Sequence, residues 1–129
     1  MIHRSFTDLD VYKECRQLRI AISGLVKSDF PTEEKFRLMD QILRSSRSIT
    51  ANIAEGHGRF YHKENISFCR KARGSMEETL EHLITAFDEG YITAGVLKTF
   101  KVKIDSCSKL INGYIKYLKK AQHGEEESD

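Results

Sequence analysis

The chain has 129 residues, 40% of them hydrophobic, and its 21 Lys and Arg against 19 Asp and Glu give a formal net charge of +2. A chain of this length and composition forms one domain around one core, which excludes a disordered protein and a multidomain assembly. With 31% charged residues, one Pro and no Trp, the composition favours helices.

Membrane and export signals are absent from the sequence pattern. No apolar run approaches the roughly eighteen residues of a membrane span, and the first residues contain no apolar signal core. Three cysteines without an export signal indicate reduced thiols. We therefore expect a cytoplasmic protein that does not contact a membrane.

Acidic residues are concentrated at the C-terminus. Residues 121–129 hold four acidic and no basic side chains, whereas residues 1–120 hold 21 basic and 15 acidic side chains. We predict a single folded domain over residues 1–120 and an acidic, disordered tail over residues 121–129. A basic domain suits an anionic partner without requiring one.

The first helix is predicted from about Thr7 to Lys27. Thr7 and Asp10 have the spacing of a capping box, in which a hydroxyl and a carboxylate satisfy free amides of the first turn. Apolar residues then recur in steps of three and four, which is typical of an amphipathic helix. The residues expected inside are Tyr12, Cys15, Leu18, Ile22 and Leu25.

The second helix is predicted to begin after Pro31, with Thr32 as its cap, and to end at Gly56. Its apolar side has a central stripe, which Ile42 and Ile49 widen, and Phe36 lies near its start. The stripe consists of Met39, Leu43, Ser46, Thr50 and Ile53. Small and amide residues are interspersed among them, and polar groups near a packed face need hydrogen-bond partners.

Five polar residues of the second and third helices form a predicted structural polar network. They are Gln41, Ser48, Asn52, Glu55 and Ser75. We interpret them as fixing helix register or a subunit contact. The alternative is an active-site cluster, but no nucleophile among them has an evident base.

The third helix is predicted from about residues 62–65 to Glu89. Its inward residues are Cys69, Ala72, Met76, Leu80, Leu83 and Phe87. Gly74 lies in its interior, where Gly costs up to about 1 kcal/mol relative to Ala. We therefore predict that another helix backbone approaches closely at Gly74.

The fourth helix is predicted to begin after Thr93 as its cap. Its inward seam is Val96, Phe100, Ile104, Cys107, Ile111, Tyr114 and Leu118, and its lysines form a solvated outer face. Four long amphipathic helices joined by short loops predict an all-α fold, an antiparallel up-down-up-down four-helix bundle.

A basic set is the strongest candidate functional site. We predict nucleic-acid contacts at Arg44, Arg47, Arg59, Lys63, Arg70 and Arg73. Antiparallel packing of the second and third helices could gather several of them at one end, where Phe60 or Tyr61 could stack on an unpaired base. The alternative is a solvated or subunit-interface face, with Arg44 paired to an acidic residue such as Glu55 or Glu78.

Metal and nucleotide motifs are missing from the sequence. No Glu-x-x-His pair of the di-iron bundles occurs, and the three cysteines fall on inward positions of three helices, where core packing is expected. His57 and His62 with Glu55 would make at most an adventitious ion site. There is no Walker sequence. We expect no metal, no cofactor and no enzymatic activity.

Several motifs carry a family resemblance over roughly residues 5–120. Gln41, Arg44, Ser48, Asn52, Glu55 and Gly56 form the central pattern, and Phe68, Ala72, Gly74, Ser75 and Glu78 form the third-helix pattern. The chain resembles the four-helix-bundle family encoded by intervening sequences of bacterial 23S ribosomal RNA genes, related to the accessory protein of diversity-generating retroelements. It departs from that pattern at Lys71, where Ile is usual.

This resemblance implies a homopentameric ring of bundles with a central channel. In the retroelement branch it implies a basic ring surface that meets nucleic acid and a reverse transcriptase. We therefore predict a non-enzymatic, homo-oligomeric accessory factor that binds RNA or DNA. The alternative is an oligomeric protein-interaction scaffold without nucleic-acid contact.

Overall fold

Four α-helices make up most of the chain. A computed structural model describes the backbone of residues 5–128 and the side chains of residues 5–124. The helices are α1 (Asp10–Asp29), α2 (Leu38–His57), α3 (His62–Asp88) and α4 (Ala94–Ser128), and short 3-10 helices span Phe6–Asp8 and Thr32–Glu34. Residues 5–128 contain no strand.

The helices pack into one bundle. α1 contacts α2 and α4, α3 contacts α4, and the most extensive packing is between α2 and α3. Ser45 lies against Thr79 and Ser48 against Ser75, so α2 and α3 run in opposite directions. The predicted all-α four-helix bundle is confirmed.

The core follows the predicted helical periodicity, except for a shift on α2 and for Phe87 of α3, which was expected inside but is 39% exposed. Ile42, Ile49 and Ile53 are fully buried at the centre of that helix. Met39 and Leu43, which the sequence places on the central stripe, are partly buried at its edge. The inward face of α2 is therefore rotated from the predicted one, towards the isoleucines.

Two predicted helix starts are wrong. α1 begins after Leu9, and Ser5 caps the preceding 3-10 helix by accepting a hydrogen bond from the Thr7 amide at 3.2 Å. α2 begins at Leu38, so Phe36 lies in the preceding turn and is 85% exposed. The predicted cap of α4 is confirmed, because Thr93 Oγ1 accepts a hydrogen bond from the Val96 amide at 3.2 Å.

Gly74 does not meet another backbone, contrary to the prediction. A Cβ atom added to Gly74 would have no neighbour within 4 Å, because the residue faces outward on α3. The close approach occurs instead at Gly56, near the end of α2, where an added Cβ would lie 2.6 Å from Asn65 Oδ1 and 2.8 Å from Phe68 Cβ.

α4 extends into the segment predicted to be a disordered tail. The helix continues past residue 120 to Ser128, and Gly124 does not end it. Glu is a good helix former, which is consistent with helix in this acidic segment. Side chains of residues 125–129 lie outside the described part of the chain.

None of the helices within residues 5–128 combines the length and apolarity that a bilayer crossing demands.

Candidate nucleic-acid interface

The six residues of the predicted basic set lie on different sides of the bundle. Arg44 pairs with Asp40 on the same helix, with 3.0 Å between Nη2 and Oδ2, and the two side chains are 77% and 55% exposed. Arg44 therefore pairs with an acidic residue, as the alternative interpretation of the basic set expects, but the partner is Asp40 rather than Glu55 or Glu78. An exposed pair at this spacing contributes little to stability.

Arg59, at the turn between α2 and α3, is held by two carboxylates. Its guanidinium lies 3.1 Å from Glu55 Oε1 and 3.7 Å from Glu64 Oε2, and 4.8 Å above the ring centroid of Phe68. Lys71 Nζ lies 4.5 Å from the same centroid. Phe68 thus attracts two cations, which explains how an exposed Lys71 replaces an apolar residue.

The remaining members of the basic set on α3 point towards α4 or solvent. Arg73 Nη1 donates a hydrogen bond of 2.9 Å to Asn112 Oδ1 on α4. Lys63 and Arg70 are exposed. Antiparallel packing therefore does not bring the six residues into one cluster.

Arg47 belongs to a different cluster of cations, in a groove between α1 and α2. The basic groove, as we name it, has a volume of about 400 Å³ and is lined by Arg19, Ile20, Ser23, Gly24, Lys27, Leu43, Ser46 and Arg47. Three of these described side chains are cationic and none is acidic. Such a cavity attracts anions.

Arg19 is fixed in the basic groove by α2. Its Nη1 donates a hydrogen bond of 3.0 Å to Thr50 Oγ1, and the Thr50 hydroxyl donates in turn to the Arg47 carbonyl at 3.2 Å. Arg19 and Lys27 are missing from the predicted set. Arg19, Ser23 and Lys27 are spaced four residues apart and therefore lie on one side of α1. This spacing was the signal by which the sequence could have shown a basic face on α1.

The predicted polar network forms in part. Ser75 Oγ donates to Ser48 Oγ at 2.9 Å, and Asn52 Nδ2 donates to the Ser48 carbonyl and hydroxyl at 2.9 Å and 3.0 Å. Gln41 is exposed, and Glu55 pairs with Arg59 instead. Three of the five residues are therefore joined across α2 and α3.

A second, buried hydroxyl pair extends this network. Ser45 Oγ and Thr79 Oγ1 lie 2.8 Å apart, the Ser45 hydroxyl is also 3.2 Å from the Ile42 carbonyl, and the Thr79 hydroxyl is 2.8 Å from the Ser75 carbonyl. Neither residue is among the five of the predicted polar network. Hydroxyl pairs at two levels fix the register of α2 against α3, because sliding the helices would leave buried polar groups unpaired.

A second cavity lies at the end of the bundle where α2 meets α3. This aromatic pocket has a volume of about 510 Å³ and is lined by Leu9, His57, Arg59, Phe60, Tyr61, His62, Asn65, Tyr114, Tyr117 and Leu118. The sequence pointed to Phe60 and Tyr61 as candidates for stacking. It gave no sign that two tyrosines of α4 join them.

The comparisons with known proteins agree on one family. The profile of the 23S rRNA-intervening sequence protein family matches residues 7–113. The chain belongs to this family. A crystal structure of a protein of unknown function from the S23 ribosomal protein family of Bacteroides thetaiotaomicron is 26% identical, with a TM-score of 0.75 over 82% of this chain and 95% of that one. No curated protein matches.

The three thiols of this 23S rRNA-intervening sequence protein are buried in the core. The Cys15 thiol is hydrogen-bonded to Cys107. This bond, together with burial, raises the pKa of the Cys15 thiol far above its usual range. Burial raises the pKa of the Cys69 thiol from 9.0 to about 11. Among the described residues, no three His, Cys, Asp or Glu side chains come together as a metal site.

Proposed function

We propose that this 23S rRNA-intervening sequence protein is a non-enzymatic, homo-oligomeric accessory factor that binds RNA or DNA through a basic surface. The basic groove carries this proposal. Arg19, Lys27 and Arg47 converge on it from two helices, and its described lining contains no carboxylate. A phosphate backbone gains affinity from such a cluster by releasing its counterions.

The positions of the three cations suit a phosphate chain. Lys27 and Arg47 are exposed, so their head groups reach a backbone that passes over the groove. Arg19 is half-buried, and one of its N–H groups donates a hydrogen bond to Thr50. A guanidinium has five N–H donors, so the others remain for phosphate oxygens. Arg19 is thus the contact that α2 holds in place, and Lys27 and Arg47 are the exposed contacts.

The matched test compares two arginines of α2. Arg47 lies in the basic groove, whereas Arg44 lies outside its lining and pairs with Asp40. We expect Arg47→Gln to weaken binding to a fluorescently labelled single-stranded RNA and to reduce the slope of log K against log salt by about 0.7 per subunit. Arg44→Gln should leave both unchanged. Equal effects of the two variants, or none from either, would contradict the assignment of the groove.

Self-association is the second part of the proposal, and a pentamer is the expected assembly. It is supported by the resemblance to the accessory proteins of retroelements and by exposed apolar side chains such as Val102. Sedimentation equilibrium over a range of protein concentrations measures the mass directly. A monomer throughout that range would reject a ring.

A protein-interaction scaffold is the alternative function, with a reverse transcriptase among the partners to test. One observation favours it. Phe36, in the turn before α2, is 85% exposed. Exposed aromatic side chains are often anchors of protein interfaces. A scaffold predicts capture of a protein partner that does not weaken with salt and is lost in Phe36→Ser.

A further inference from the structure

We propose that the aromatic pocket binds one nucleobase, namely an unpaired base of the nucleic acid held by the basic groove. This inference rests on the proposed function and adds the conformational class of the ligand, which is a single strand or a loop rather than a continuous duplex. A free nucleotide would offer the same base to the pocket, and the experiment below distinguishes a free nucleotide from a base of a nucleic-acid strand.

Exposed aromatic rings are concentrated at this pocket. Phe60, Tyr61 and Tyr117 are 88%, 61% and 63% exposed, and all three line it. Each ring keeps a large apolar surface in water that a flat partner would cover. These rings come from two places far apart in the sequence, the α2–α3 turn and α4. They lie together because of the tertiary packing of the helices, not because of local structure.

Two of the tyrosines already form a stack. The rings of Tyr114 and Tyr117 are inclined by only 10° and their centroids lie 6.2 Å apart. Tyr114 is the fixed member, since its hydroxyl accepts a hydrogen bond of 3.1 Å from Asn65 Nδ2. Tyr117 is the outer, more exposed ring, so a base added to its free face extends a stack that already exists. Stacking of this kind tolerates any base, because every base has a π-face.

The charge of the pocket argues against a phosphate as its main occupant. Its arginine, Arg59, lies beside Glu55 and Glu64, so its charge is already balanced by two carboxylates. The rest of the lining consists of aromatic rings, tyrosine hydroxyls, two imidazoles, one amide and two leucine side chains. These groups suit a planar ring with a hydrogen-bonding edge.

The pocket and the basic groove both border α1 and α2. Leu9 and His57 of the pocket stand at the ends of these two helices, while Arg47 of the groove lies ten residues before His57 on α2. Ten helical residues correspond to roughly 15 Å. An extended single strand covers that distance in a few nucleotides, so one strand can contact both sites.

The test compares Tyr117→Leu with Phe36→Leu. Both remove an exposed aromatic ring and keep apolar volume, but Phe36 does not line the pocket. Ligands are a labelled single-stranded RNA, a blunt-ended duplex RNA and adenosine monophosphate. The single strand is titrated at several salt concentrations, and all three ligands are compared at one of them. We expect Tyr117→Leu to weaken binding of the single strand about tenfold or more, with no change for the duplex, and Phe36→Leu to change neither. Tyr117→Phe, which retains a ring, should bind as the wild type does.

The outcomes separate the two proposals. If the wild type binds the single strand with a steep salt dependence and Tyr117→Leu binds equally well, the pocket inference is overturned and the basic groove remains. If the wild type binds neither RNA but takes up adenosine monophosphate in a Tyr117-dependent manner, the pocket is a free-nucleotide site and the proposed function fails. Duplex binding that Tyr117→Leu weakens as much as single-strand binding would overturn the choice of an unpaired base. Circular dichroism of each variant verifies that it is folded.

Discussion

Replacing Gly56 by Ala tests the closest helix contact in the bundle. The added Cβ would lie 2.6 Å from Asn65 Oδ1, 2.8 Å from Phe68 Cβ and 3.2 Å from the Asn65 carbonyl oxygen. Phe68 Cβ is joined directly to the α3 backbone and cannot rotate away. Asn65 is held by its bond to Tyr114. The two helices must therefore separate locally, or Asn65 must give up its bond.

The expected loss is the balance of two unfavourable contributions and one favourable one. Overpacking a close contact costs about 1–3 kcal/mol, and leaving the Asn65 amide unpaired adds a cost of similar size if its bond to Tyr114 breaks. Ala gains up to about 1 kcal/mol over Gly in a helix. We expect Gly56→Ala to lower the free energy of unfolding by about 2 kcal/mol, which lowers the melting temperature by roughly 8 °C in a domain of this size.

Gly74→Ala is the matched control. Gly74 is also in a helix, but an added Cβ there would meet nothing within 4 Å. This variant should be more stable than the wild type by up to about 1 kcal/mol. The measurement is urea or thermal unfolding, followed by far-ultraviolet circular dichroism at a fixed protein concentration. A Gly56→Ala protein that is as stable as Gly74→Ala would refute the close contact and the reasoning built on it.

Two further predictions concern buried groups between the helices. Thr79→Val keeps the shape of the side chain but removes the hydroxyl that pairs with Ser45. We expect this variant to lower the free energy of unfolding, measured in urea, by about 1 kcal/mol. The double variant with Ser45→Ala should lose less stability than the sum of the two single variants. Burial raises the pKa of Cys69 from 9.0 to about 11, so its contribution is complete below pH 9 and is lost as the pH rises to about 11. Between pH 9 and pH 11, Cys69→Ala should therefore lose about 2–3 kcal/mol less stability than the wild type loses. If the free energy of unfolding of the two proteins changes in parallel with pH, the thiol has no such role.

The helices and their inward faces could be predicted because each depends on local periodicity. Steps of three and four apolar residues identify a buried stripe without knowledge of any neighbour. The start of α2 was predicted too early because Thr32 has the chemistry of a cap, although the chain forms a 3-10 helix there and leaves Phe36 in a turn. Such short-range competition between two kinds of helix is not visible in the apolar pattern.

Pairings between helices could not be predicted to the same degree. The sequence assigned the end of a helix to Gly56 and the close approach to Gly74, because neighbouring residues do not show which glycine faces another helix. Which of them meets a neighbour depends on the register of α2 against α3, and that register is fixed by the hydroxyl pair of Ser48 and Ser75. The same limit explains the basic set. Arg47 was a candidate, but its companions in the groove come from α1, and only packing selects that neighbour.

The contact at Gly56 also supports the aromatic pocket. The absence of a side chain at this position lets Asn65 lie against the end of α2, and from there its amide reaches the hydroxyl of Tyr114. Tyr114 in turn is the inner ring of the stack that Tyr117 completes. Gly56 therefore contributes, through Asn65, to the position of the Tyr114 ring on α4. It follows that Gly56→Ala should weaken binding of single-stranded RNA beyond what its stability loss explains, even at temperatures where the protein is fully folded. Unchanged affinity of the folded variant would show that the pocket does not depend on this contact.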